Sequence, residues 1–351
     1  MLRVLKIASA FVGVIVGAGF ASGQEILQYF TSFGHYGTLA AIISTVLFAY
    51  LGMILTKIGS RIQTISHREA VYKVSGNYIL GLIVDIIIII TLFGVGVVMI
   101  AGAGSAFEQQ FGIPTYIGSF IMTTLIVLTM MLKVDKVVSV IGTVTPFLML
   151  AIVVIAIYSV FTMDTSLAEL NPIAKEQPSA VSNWIYSGIN YASFNIAVGA
   201  GMAIVMGAAE KDERLATIGG FLGGLFIGAL ILLAHFAIFS KVDVVAAYDL
   251  PLLKIVEGIS PVLGVIMAII ILGMIFNTGV GMFYAFVARF FDMENNTPYI
   301  AIIGTGVLGY IASFVGFTGL VGKFYPFIGL LGLFLVVALF IAPFRMKKGT
   351  L

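Results

Sequence analysis

Residues Ile15 to Glu25 read IVGAGFASGQE, near the start of a chain of 351 residues. The stretch sits inside an apolar run, yet it holds Gly17, Gly19, Gly23 and an ionisable Glu25. Each glycine costs a helix interior about 1 kcal/mol relative to alanine, and a carboxylate in hydrocarbon costs more. Residues of this kind persist in a membrane helix where the main chain leaves the helix and lines a cavity. A second feature sharpens the reading: the hexamer VGAGFA at Val16–Ala21 returns as VGAGMA at Val198–Ala203.

Composition places these segments in a bilayer. Hydrophobic residues make up 60% of the chain and charged residues 10%, whereas about a quarter of a soluble domain is charged. Ten apolar runs recur, at roughly 4–30, 37–57, 79–106, 115–132, 137–160, 184–209, 216–240, 258–289, 298–317 and 323–344. Their lengths suit helices crossing a core of about 30 Å and not the short alternating strands of a barrel. With the N-terminus inside, the inner segments carry fourteen of the eighteen Lys and Arg residues, and the outer loops carry Lys175, Lys241, Lys254 and Lys323. That asymmetry predicts cytoplasmic termini at both ends. Arg3 and Lys6 before an apolar run, with Ala21, Ser22 and Gly23 after it, mimic a secretory signal. Cleavage there would leave nine spans and remove the repeat, so the first span is expected to stay. Cysteine is absent, which excludes disulfides. No soluble domain is long enough to matter, and the mixed apolar and basic run Arg61–Val74 predicts a short interfacial helix.

The two hexamers fall in spans 1 and 6 and are separated by five crossings, so the copies run in opposite directions through the membrane. Glycine interruptions at matching places in two halves point to an inverted repeat with a midplane binding site. The fold class expected is therefore an all-α polytopic membrane protein with ten transmembrane helices in a 5+5 inverted repeat and helices 1 and 6 broken. Residues 1–160 would form the first repeat and 184–344 the second, within a single membrane domain.

These residues resemble the amino acid, polyamine and organocation superfamily of LeuT-like transporters. Span 1 reads Gly13, Val14, Ile15, Val16, Gly17, Ala18, Gly19 and is similar to the unwound stretch of its sodium-coupled neurotransmitter-transporter family. Span 6, Phe194 to Gly201, resembles the same family's second break, and GAGFASGQE looks like a bacterial subgroup of uncharacterised membrane proteins. The resemblance implies a substrate site from Gly17, Ala18, Gly19, Ser22, Gln24 and Glu25 of span 1 and Tyr191, Phe194, Asn195, Ala197 and Gly199 of span 6. Phe194 would be an aromatic lid, with Tyr191 a turn earlier as a second. Unwinding would turn the carbonyls of Gly13 and Val16 toward a cation and the amides of residues 17–22 toward an anionic group.

In span 8, Met274, Asn277 and Thr278 lie at i, i+3 and i+4 and share a helical face. With Gly13 and Val16 they offer five hard oxygens, an arrangement that resembles the superfamily's sodium (Na+) site between spans 1 and 8. Asn277 departs from the Ser or Thr usual there. Proton-coupled members can place a lysine in span 5, but Val137–Val160 has no Lys or Arg, which favours sodium. Phe20 stands where a second sodium site needs Asn, so one sodium is expected.

The charges left in the spans are Glu25, a candidate for a substrate amine, a proton or an ion pair with Lys323, and Asp85, expected to pair with inner basic residues. His235 is expected to be hydrogen-bonded. The chain thus reads as a secondary active transporter for a small-molecule substrate, an amino acid or related zwitterion, in the bacterial cytoplasmic (inner) membrane. The alternatives are a transporter-fold ligand sensor and a proton-coupled transporter using Glu25 or Asp85. No nucleic acid partner is expected. The three histidines are scattered, and neither an H-E-x-x-H run nor a Walker loop occurs, so an enzyme is not expected.

Overall fold

Span 1 departs from a continuous helix twice. In the computed structural model, which describes residues 1–63, 78–131, 145–291, 293 and 298–347, it comprises α1 (Leu2–Ile15), α2 (Ala18–Ser22) and α3 (Gln24–Tyr29). The first interruption is at Val16–Gly17. The second is at Gly23, whose φ of +84° is a left-handed conformation that glycine adopts without strain. A Cβ there would also lie 2.7 Å from the Leu252 side chain, so both conformation and space require glycine.

The regular structure of the other described residues is likewise helical: α4 (His35–Ile62), α5 (Tyr78–Phe111), α6 (Thr115–Met131), α7 (Thr145–Phe161), α8 (Leu167–Lys175), α9 (Trp184–Ala208), α10 (Glu213–Phe239), α11 (Val242–Val245), α12 (Pro251–Ile259), α13 (Pro261–Val287), α14 (Tyr299–Ser313) and α15 (Phe317–Lys347), with one 3-10 turn at Thr31–Phe33. Six of them, α4, α5, α9, α10, α13 and α15, are long and apolar enough to cross a membrane. The chain is a multi-pass all-α membrane protein. Expected spans 4, 5 and 9 correspond to the shorter apolar helices α6, α7 and α14. The interfacial helix expected over 61–74 lies largely outside the described residues, as does the first part of expected span 5.

The expected break in span 6 is not there. α9 runs without interruption for 25 residues from Trp184 to Ala208, through Gly199 and Gly201. The reason is visible at Gly199, where an added Cβ would approach Ile15 Cδ1 to 2.7 Å and Val14 Cγ1 to 3.0 Å. The glycine makes room for α1 at its broken end, which is the close-packing use of a small residue in a membrane helix.

Glycines do similar work on α10. Gly223 would meet Ala8 O and Phe11 Cδ1 at 3.0 Å, and Gly220 and Gly224 abut the main chain of α4. α10 therefore packs closely on both α1 and α4. Hydrogen bonds fasten the helices where apolar contact in lipid gives little drive: Ser44 Oγ donates to Gly188 O at 2.7 Å, Thr56 Oγ1 to Ala216 O at 2.8 Å, and Ser193 Oγ to Gly329 O at 2.7 Å.

The packing has a near-regular pattern when each span is exchanged with the one five later. Spans 1 and 7 pack as do 6 and 2, spans 5 and 7 as do 10 and 2, and spans 3 and 9 as do 8 and 4. The correspondence is incomplete: α15 packs on α9 and α5, but the described part of α7, which begins at Thr145, makes no comparable packing against α1 or α13. A cavity lies in that gap.

Candidate functional site

At the first interruption the hydrogen bonds change partners. Val16 N donates to Val12 O at 2.7 Å, Gly17 N turns back to Ile15 O at 2.9 Å, and α2 opens with Ala21 N to Gly17 O at 3.0 Å. Among the described residues, the carbonyls of Gly13, Val14 and Val16 accept no main-chain hydrogen bond, and the amides of Ala18, Gly19 and Phe20 donate none. An uninterrupted helix would satisfy all six. The chain has loosened polar main chain at membrane depth.

A cavity of about 740 Å³ lies against this segment. Of the residues expected at the substrate site, Gly17, Ala18, Gly19, Glu25, Phe194 and Asn195 line it. So do all five expected cation ligands, Gly13, Val16, Met274, Asn277 and Thr278. The hydroxyl of Thr278 is unlike that of other helical threonines here. Those at 45, 56, 91, 123 and 305 donate to the carbonyl four residues back, the usual local bond of a helical threonine, whereas Thr278 donates to no described residue.

The remaining expected residues stand off the wall. Ser22 Oγ donates to Gly19 O at 2.6 Å and accepts from Gln24 N at 3.1 Å, so it braces the second interruption. Gln24 is buried, with its Oε1 unpartnered among the described residues. Ala197 packs toward α15, near Gly332, and Gly199 against α1, because α9 stays helical and turns both toward neighbouring helices. Tyr191 sits behind the wall and donates its hydroxyl to Glu25 Oε2 at 3.1 Å. Glu25 is thus paired with Tyr191 and not with Lys323.

Glu25, 5% exposed, folds back so that its carboxylate occupies the place a Gly19 side chain would take. Glycine at 19 is the condition for Glu25 to be there. Phe194, 4% exposed, stacks on Tyr325 with ring centroids 4.1 Å apart. Behind this pair Tyr191 makes edge contacts with Tyr29 and Phe30 at 5.1 and 4.9 Å. Tyr29 donates to Asn190 Oδ1 at 3.2 Å, and Asn190 Nδ2 donates to Pro326 O at 3.0 Å. This end of the cavity is closed by aromatic rings and polar bonds joining spans 1, 6 and 10. At the other end the lining residues Ser9, Gly13, Met202 and Gly281 are exposed, Met202 by 47%. The cavity therefore opens toward the face that carries the N-terminus.

Sequence reasoning did not find Tyr325, Asn190 or Tyr29, because their roles arise from pairings across helices far apart in the chain. A tyrosine followed by a proline inside span 10 was the available signal. It also missed the methionine lining: Met99, Met149, Met202, Met206 and Met282 share the wall with Met274. Asp85 pairs with Arg289 at 2.6 Å, joining spans 3 and 8 as expected of a structural carboxylate. His235 is fully buried, with Thr31 and Thr38 hydroxyls each 3.1 Å from a ring nitrogen.

No family model matches the chain. It is similar to the uncharacterized membrane protein YkvI of Bacillus subtilis, 28% identical over 317 residues that cover 89% of this chain and 88% of that one. It is also similar to the uncharacterized protein YyaD of the same organism, 25% identical over 335 residues covering 95% of each. Among solved structures it resembles MhsT in complex with L-phenylalanine, with a TM-score of 0.58 and 18% identity over 98% of this chain and 97% of that one. It likewise resembles the inward-facing conformation of Mhp1, with a TM-score of 0.56 and 14% identity over 94% and 73%. For the Eremococcus coleocola manganese transporter the TM-score is 0.55, with 14% identity over 89% and 70%. The chain has the LeuT-like fold of these transporters.

Proposed function

We propose that this membrane protein is a secondary active transporter that carries a small organic solute, an amino acid or related zwitterion, by sodium-driven alternating access. The observation that carries the reading is the cavity beside the unwound part of span 1, shut at one end by Phe194 and Tyr325 and open at the other. A cavity of that form is one half of an access cycle. The described part of α7, from Thr145 on, packs less against α1 and α13 than α15 does against α9 and α5, a difference that suits an inverted repeat open on one side. On this reading the chain forms ten crossings in two halves, 1–160 and 184–344. It lies in the bacterial cytoplasmic membrane with both termini inside, and the structure is an inward-open state.

The cation would be one sodium ion, held by the carbonyls of Gly13, Val16 and Met274 and the side-chain oxygens of Asn277 and Thr278. The unpartnered carbonyls and hydroxyl support this ligand set. The intact α9 alters one element of the expected mechanism: span 6 would act through the Phe194 and Asn195 side chains and not through freed main chain. The test is solute uptake into liposomes holding the purified protein, with and without an inward sodium gradient. Gradient-dependent accumulation is expected. Equal uptake in both would remove sodium as the driving ion, and binding without counterflow would point instead to a sensor.

A further inference from the structure

Taken as the solute site of the transporter reading above, the cavity has a wall that bears on the charge of the solute. Among the described residues Glu25 is the one carboxylate on that wall, and no Lys, Arg or His lines it. Glu25 Oε2 accepts a hydrogen bond from the Tyr191 hydroxyl at 3.1 Å. Its Oε1 accepts none among the described residues and rests against Gly19, where no side chain intervenes. No described cationic side chain makes an ion pair with it. A buried carboxylate without a counter-charge is strongly disfavoured unless it takes up a proton, and a cation entering the cavity relieves it in the same way.

The surroundings fit an organic cation. The stacked rings of Phe194 and Tyr325 line the same closed end, and aromatic rings attract an ammonium group to a face left uncovered. Away from them the wall is Met99, Met149, Met202, Met206, Met274 and Met282, flexible thioethers that adapt to apolar bodies of varied shape. Nothing charged serves an anion there among the described residues: the wall offers main-chain amides and the neutral side chains of Ser9, Asn195, Asn277, Thr278 and Tyr325.

We infer that the cavity selects its solute through a protonated amine docked on Glu25, with the apolar body against the methionines. A carboxylate on the solute is dispensable. The substrate class is then apolar amines and those amino acids that share their side chains.

Two series of isosteres test this with the purified full-length protein in sodium-containing detergent solution, using calorimetric titration. One is 3-methylbutylamine, leucine and 4-methylpentanoate; the other is phenethylamine, phenylalanine and 3-phenylpropanoate. In at least one series the amine should bind within about tenfold of the amino acid, with the carboxylate roughly a hundredfold weaker, as expected for loss of a charge-assisted bond. Glu25→Gln should weaken the amine roughly tenfold to a hundredfold. The inference is overturned if neither amine binds, if a carboxylate binds as tightly as its amine, or if Glu25→Gln leaves the amine unchanged. Should Glu25→Gln fail to fold, the wild-type comparison decides alone. These titrations need no gradient, so a protein that binds amines yet shows no counterflow would lose the transporter reading and keep the amine selectivity of the cavity.

Discussion

At the scale of single residues, the glycines of the opening motif do different things despite sharing a spacing. A Cβ on Gly17 would meet nothing within 4 Å, and its extended backbone is open to any residue, whereas one on Gly19 would collide with the Glu25 carboxylate. Gly17→Ala is therefore expected to leave the thermal unfolding midpoint unchanged. Gly19→Ala should expel Glu25 from its place and weaken solute binding at least about tenfold, because a charge-assisted contact is lost. Equal affinities for the two variants, measured by titration, would show that Glu25 does not depend on Gly19. Thr278 supports a second prediction. Thr278→Val keeps the shape but removes a hydroxyl with no other described partner, so the sodium concentration for half-maximal uptake should rise roughly tenfold, about the worth of one ligand oxygen; Thr278→Ser should restore it. No change in Thr278→Val would remove this residue from the ion site. The oddity of Glu25 and the polar face of span 8 were legible in the sequence, since each is visible within a few positions. The Tyr191 hydroxyl on Glu25, 166 positions away, was not.

At the scale of helices, the repeated hexamer was read as two breaks, and one is a packing contact. Sequence alone cannot separate these uses of glycine, because unwinding and close approach both need a missing side chain. What decides is the neighbour: Gly17 faces open space, while Gly199 faces Ile15 and Val14 of the broken helix. The first crossing can unwind partly because the sixth remains a rod against which its loose end is seated. Gly199→Val should then force α1 away and lower stability by about 1–3 kcal/mol through overpacking. Pairing it with Ile15→Ala should recover much of that loss, since the side chain removed is the one in conflict. Thermal unfolding of the two single variants and the double variant gives the coupling. Additive losses would mean that Gly199 does not make room for Ile15. That the chain is a series of apolar membrane helices was readable from hydropathy because the bilayer dictates their length, and six of those expected are long enough to cross. The short α8 in the loop after span 5 was not anticipated, although its capping box, Ser166 with Glu169, is a local signature.

At the scale of the whole molecule, the asymmetry between the two ends of the cavity is the property from which transport would follow. α3 and α15 are joined at the closed side, where Gln28 Nε2 donates to Thr318 O at 3.1 Å and Gln28 is buried. The open side has no such seam among the described residues, and Met202 is exposed there. Exchanging the halves exchanges these conditions, so a molecule in the opposite state would part α15 from α9 and α5 and bring α7 onto α1 and α13. Because the chain has no cysteine, single cysteines report access without background. Met202→Cys should react with a membrane-impermeant maleimide applied from the face bearing the N-terminus. Gln28→Cys should be protected from either face in this state. Solute together with sodium, which occludes the cavity on the proposed mechanism, should slow labelling at 202, and a subsequent return to the opposite state should expose position 28 to the other face only. If Met202→Cys were labelled equally from both faces, the cavity would be a pore and alternating access would have no structural basis in this fold.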